Sequence, residues 1–116
     1  MRISIFDQFG QRCMIHEDGQ RIYDSILGPL LAGQTVTLDF TGVTQCAAPF
    51  FNSAIGQLFK DVAEQIVREK LVIENLNATG NMIVERVMEN ASRYHKDPVY
   101  RQIVDDILQS QAKESF

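Results

Sequence analysis

The apolar positions change period along the chain, and each change marks an element. "RISIF" sets Ile3 and Ile5 against polar neighbours, and "RCMIH" resumes after "DQFGQ", so a strand, a turn at Gly10 and a second strand predict an N-terminal β-hairpin. Asp18 then stands where it can cap a helix in which Ile22, Ile26 and Leu30 recur every fourth residue, with a kink expected at Gly28 and Pro29. "TVTLDF" returns to a period of two, with Val36, Leu38 and Phe40 on one face of a third strand. From Pro49 onward, Phe51, Ile55, Leu58, Phe59, Val62 and Ile66 fall on one helical stripe, and Pro49 suits a first helical turn. "LVIEN" predicts a short buried strand, and "ATGNMIVERVMENASRYH" a helix with Val84, Val87, Met88 and Ala91 on one face. A last helix, begun by Asp97 and Pro98, carries Tyr100, Ile103, Val104, Ile107 and Leu108 at helical spacing.

The order β β α β α β α α predicts an α/β layer fold. Its sheet is expected to be mixed and four-stranded, the hairpin plus parallel strands, packed by about four helices. No repeat, low-complexity tract or Pro/Gly/Ser-rich linker interrupts the chain, so residues 1–116 are expected to form a single domain.

Composition narrows the function classes. With 116 residues, 45% hydrophobic and 22% charged, the chain is long enough to bury a core. Its net charge is −4, and the basic residues are interleaved with acids as in "DVAEQIVREK", which argues against a phosphate-neutralising stripe for nucleic acid. No apolar run approaches the roughly 18 residues of a membrane span. The start, "MRISIFDQFGQR", has no signal-peptide core, so a soluble cytoplasmic protein without membrane contact is expected. Cys13 and Cys46 are too few for a disulfide framework, and no CxxC or His/Cys cluster offers a metal site; both thiols are expected reduced, and no cofactor or metal is expected.

The segment "LDFTGVTQCAAPFFNSAIGQLF", residues 38–59, takes a strand into a helix N-terminus, a place that favours anions and nucleophiles, yet it carries almost no polar side chains. It resembles the centre of a STAS domain, the module of sulphate transporters and anti-sigma factor antagonists, and most resembles the STAS-like family of unknown function found in bacteria and phage. The resemblance spans roughly Asp18 to Asn75 and implies a STAS-like layer fold. In the antagonists, this loop ends in Asp-Ser-Ser-Gly, and the second serine is phosphorylated by a partner ATPase-kinase of the histidine-kinase-like fold. Those four positions fall here on Ala47, Ala48, Pro49 and Phe50, so the resemblance implies the scaffold without its phosphoacceptor.

Each candidate residue also has a plain structural reading. Cys46, just before a helix start, has the setting of a nucleophile, but His16 and His95 are both distant in sequence, so a buried packing thiol is favoured. Asp39 lacks a partner for acid–base work and is read, with Thr41, Gly42 and Thr44, as loop-shaping through local hydrogen bonds. Ser53 could inherit the acceptor role, although a solvated serine bonding back to a helix carbonyl is the plainer reading. "NATGN" lacks the glycine spacing and lysine of a phosphate loop, so Thr79 is read as a helix cap, and Met82 and Met88 as core fillers. What remains is an apolar tip of Ala47, Ala48, Pro49 and Phe50. Phe50 lies off the core stripe and is expected exposed, unless the final helix folds over the tip. The sequence therefore points to a non-enzymatic interaction module that binds a protein partner, by resemblance an ATPase-kinase, through Cys46–Phe51 and Ser53. A nucleotide or small-ligand sensor and a thiol-dependent enzyme using Cys46 are the alternatives, and self-association stays open.

Overall fold

The computed structural model describes residues 1–114. Its first strand, β1 (Arg2–Ser4), gives way at once to a short helix, α1 (Ile5–Phe9), because Ser4 caps it: the Asp7 backbone N–H donates to Ser4 Oγ at 3.3 Å. This turn of helix carries the chain away before β2 (Arg12–Cys13) can fold back, so the expected hairpin does not form. β1 pairs in parallel with β3 (Val36–Asp39), and β3 with β5 (Leu71–Glu74), while β2 pairs in parallel with β4 (Gln45–Cys46). The α/β class stands, but the single mixed four-stranded sheet is replaced by two parallel sheets, one ordered β1-β3-β5 and one of β2 and β4.

Among the described residues seven α-helices and a π-helical turn, three of these eight joined end to end as one central helix, pack on these strands where about four helices were expected. The helix α2 (His16–Leu31) starts ahead of Asp18. Ile15 occupies the cap position without a side-chain hydrogen bond, and Asp18 lies in the first turn, where its charge favours the positive dipole end. α2 runs through Gly28 and Pro29 as one element and ends at Leu31; Pro29 lacks the N–H that would bond the Ser25 carbonyl, and the helix stops two residues later. The largest departure is the central helix. Instead of one stripe from Pro49 to Ile66, the chain forms α3 (Ala48–Phe51), a π-helical turn (Asn52–Gly56) and α4 (Leu58–Asp61), then breaks at Val62 in extended backbone before α5 (Glu64–Lys70). The wide turn and the break reset the helical phase, so Val67 rather than Ile66 is fully buried.

α6 (Ala78–Lys96) is capped by Asn77, whose Oδ1 accepts from the Gly80 N–H at 2.7 Å, and not by Thr79. α7 (Pro98–Glu114) follows, with Asp97 Oδ1 accepting from the Val99 and Tyr100 N–H groups at 3.0 and 3.2 Å. α7 packs on α6 and covers only part of its own apolar stripe, since Ile103 and Ile107 remain 53% and 52% exposed. Val36, Leu38 and Phe40 of the third strand enter one core cluster with Ile22, Ile26 and Leu30 of α2 and with Phe50, Phe51 and Ile55 of the central helix. Among the described residues no helix is long and apolar enough to cross a membrane.

One polar cluster ties α5 to α6 and gives a pH prediction. Glu64 accepts from the Ser92 hydroxyl and pairs with Arg68 at 2.9 Å and Lys96 at 3.1 Å. These contacts, the Ser92 hydrogen bond foremost, pull its carboxyl down to about 2. A depressed folded pKa contributes stability above the unfolded value of about 4.3 and loses it as pH falls toward 2. The urea midpoint of the wild type is therefore expected to fall more steeply over that acid window than that of Glu64→Gln; parallel curves would show that the cluster contributes nothing.

Candidate functional site

The carboxyl ends of β1, β3 and β5 meet in register at Ser4, Asp39 and Glu74, and the loop from β3 to the central helix is built from that end. Asp39 Oδ1 accepts from the Thr41 backbone N–H at 3.0 Å, the Thr41 hydroxyl at 2.7 Å and Asn75 Nδ2 at 3.0 Å, while Oδ2 pairs with Arg2 at 3.1 Å. The Asn75 and Thr41 bonds hold the carboxyl well below the usual range, which suits an anchor of the loop rather than a proton acceptor at neutral pH. Asn75 reaches it from a left-handed backbone, φ 60°, and Arg2 also pairs with Glu74 at 2.7 Å. Gly42 has φ +88°, and a Cβ there would lie 2.9 Å from the Phe6 ring, so both the turn and the close approach of α1 require glycine. Thr44 donates its N–H to the Gln11 carbonyl at 2.9 Å, fastening the loop to the segment before β2.

After β4, Ala47 is half-buried, whereas Ala48 and Pro49 are exposed. Phe50, expected exposed, is fully buried; its ring meets Phe9 of α1 at 6.0 Å and Phe51 at 5.3 Å. The reason is that the central helix packs against α2 as well as α6, so a residue one step off a single stripe still points into protein. Ser53 is also buried, at 2% exposure, and its Oγ is hydrogen-bonded to His16 Nδ1 at the start of α2. It is neither a solvated serine nor a hydroxyl open to a kinase. Gly19 explains how α2 comes this close: a Cβ there would overlap the Phe50 carbonyl oxygen.

Cys46 is half-buried and not hidden beneath the loop; the fully buried thiol is Cys13, its register partner in β2. Interaction with Cys13 lowers the Cys46 thiol relative to an ordinary one, while interaction with Cys46 and burial raise Cys13. Among the described residues no group of three or more His, Cys, Asp or Glu side chains forms a metal-binding cluster. Beside the exposed tip, a groove of about 250 Å³ runs between the central helix and α6, lined by Ala48, Asn52, Thr79, Met82, Ile83 and Arg86. Met82, read from sequence as a core filler, is 69% exposed at its edge.

The structure thus brings together Asp39, Thr41, Gly42 and Thr44 in one loop, sets Ala48 and Pro49 on the surface beside the groove, and withdraws Phe50 and Ser53 into the core. Arg2, Cys13, His16, Gly19 and Asn75 were not legible as part of this region. All five reach it across more than thirty residues of chain, and no local pattern announces a contact made at that separation.

A parallel α/β scaffold with a strand, a glycine turn and a helix start at one end is a small α/β layer module. Residues 18–81, from the first turn of α2 to the first turn of α6, match the family model described as a STAS-like domain of unknown function (DUF4325), and the chain belongs to that family. No curated protein and no solved structure matches it.

Proposed function

We propose that the chain is a non-enzymatic protein-interaction module resembling an anti-sigma factor antagonist, which docks a regulatory partner through Ala48, Pro49 and the adjoining groove without a phosphorylation switch. By family resemblance that partner is a histidine-kinase-like ATPase. The observation that carries the reading is the character of the loop. At the positions matching the antagonists' aspartate, two serines and glycine stand Ala47, Ala48, Pro49 and Phe50, and the nearby hydroxyl of Ser53 is buried against His16. An exposed apolar tip next to an apolar groove suits burial on docking, whereas a phosphoryl group there would bring about −1.5 to −2 charges that oppose it. A small-ligand sensor using the same groove is the second reading. At about 250 Å³ the groove falls short of the ≈ 300–1,000 Å³ of most ligand pockets, which favours a protein side chain.

A photoreactive amino acid at position 48 tests the surface, with position 69 as control. Glu69 is exposed and lies in α5, which leads into the amino end of β5, whereas the tip follows the carboxyl end of β3. In the native host, a cross-link from position 48 to a protein with an ATPase domain, absent from position 69, is the expected result; equal products from both positions would place the contact elsewhere. Ala48→Asp is expected to leave the thermal midpoint nearly unchanged, because the site is exposed and at a helix start. Binding of the cross-linked partner should weaken about tenfold or more, since burying an unpaired charge costs more than the 1.4 kcal/mol that tenfold represents.

A further inference from the structure

We propose that Cys13 and Cys46 are a reversible dithiol–disulfide site, oxidised by a low-molecular-weight disulfide that reacts first at Cys46 and is resolved by Cys13. The two residues are register partners on adjacent parallel strands, so their Cα atoms stand one strand spacing apart and their side chains leave the same face of the sheet. That spacing, about 4.8 Å, falls inside the 4.4–6.8 Å range spanned by disulfides. The pair is also ordered by access. Cys13 is fully buried, whereas Cys46 is half-buried and opens on a cavity of about 430 Å³ lined by Met14, Thr44, Asn77, Thr79 and Gly80. Three of those residues belong to the amino-terminal end of α6, a helix of 19 residues whose dipole favours a thiolate facing it. The neighbouring Cys13 thiol favours the same charge on Cys46.

The exchange balances without any further reactant. The Cys46 thiolate attacks one sulfur of the incoming disulfide RSSR, forming Cys46–S–S–R and releasing RS⁻. Cys13 then loses its proton, attacks the Cys46 sulfur, forms the Cys13–Cys46 bond and releases the second RS⁻. Two protein thiols are oxidised to one disulfide, and the two electrons and two protons leave as two RSH. The product joins β2 to β4, the strand that leads straight into the exposed tip at Ala48 and Pro49.

The test uses the full chain and oxidised glutathione, with the reaction quenched in acid and read by intact mass and peptide mapping. Wild type should lose both titratable thiols without forming a disulfide-linked dimer, with a Cys13–Cys46 cross-linked peptide and no lasting glutathione adduct. Cys13→Ala should stop at a stable mixed disulfide on Cys46, and Cys46→Ala should stay unmodified while folded. The wild-type peptide map decides the matter even if a variant fails to fold. A persistent glutathione adduct on wild-type Cys46, disulfide-linked dimers, or a Cys46 that does not react would each overturn the proposal.

Discussion

Phe50→Ala is expected to cost about 3–5 kcal/mol of folding stability, a large part of the 5–15 kcal/mol that holds a typical domain together. The ring has no exposed surface and stands edge-on to two others, Phe9 and Phe51. Truncation removes the largest apolar group joining α1 to the central helix and leaves a cavity that α2 and α6, packed on either side, cannot readily collapse into. Urea unfolding followed by circular dichroism measures this directly. A loss below about 1 kcal/mol would mean that the ring is not packed as described. The distinction bears on function, because a Phe50 variant that fails to bind a partner would be failing to fold.

Gly19→Ala is the second large effect, and its sign runs against helix propensity. Alanine at an open helical glycine gains up to about 1 kcal/mol, and Gly56→Ala, whose new Cβ would meet Val87 and Asn52 only at ordinary contact distances of 3.5 and 3.9 Å, should show such a gain. At Gly19 the same methyl would overlap the Phe50 carbonyl oxygen and lie 2.8 Å from Ser53 Cβ. Backbone and a buried side chain are the obstacles, so α2 must move off the central helix, at a net cost of about 2–3 kcal/mol after the propensity gain. Paired urea titrations of the two alanine variants, midpoints moving in opposite directions, are the expected outcome. Two midpoints moving upward together would show that α2 does not approach the central helix so closely.

These two positions also show what the sequence could reveal. The third strand was legible because Val36, Leu38 and Phe40 alternate against polar residues, and α6 and α7 because their apolar positions keep a helical period with few breaks. The Asp39–Thr41 turn was legible because its two bonds are local, whereas the ties of the same loop to Arg2, Asn75 and Gln11 were not. The central helix was misread where its environment changed. A stripe argument assumes one buried face, but residues 53 to 55 are buried in succession between α2 and α6, and the π-helical turn shifts the phase within the run. The hairpin was misread because Ile3 and Ile5 alternate as in a strand, and that alternation masks the helix-start spacing of Ser4 and Asp7. The Cys13–Cys46 and Ser53–His16 pairs needed the strand register and the helix packing before either could be seen.

If the apolar tip docks constitutively where a relative would be switched by phosphate, as proposed, nucleotide should leave partner binding unchanged. A calorimetric titration of the partner captured at position 48 into this chain, with and without prior incubation of the two with ATP and magnesium, tests it most directly, with the mass of the chain read afterwards. Equal affinity in both arms, an unmodified mass, and binding weakened about tenfold or more by Ala48→Asp are the expected results. Loss of binding after ATP, with a phosphoryl group mapped to Ser53 or to Thr41 or Thr44 of the loop, would contradict it.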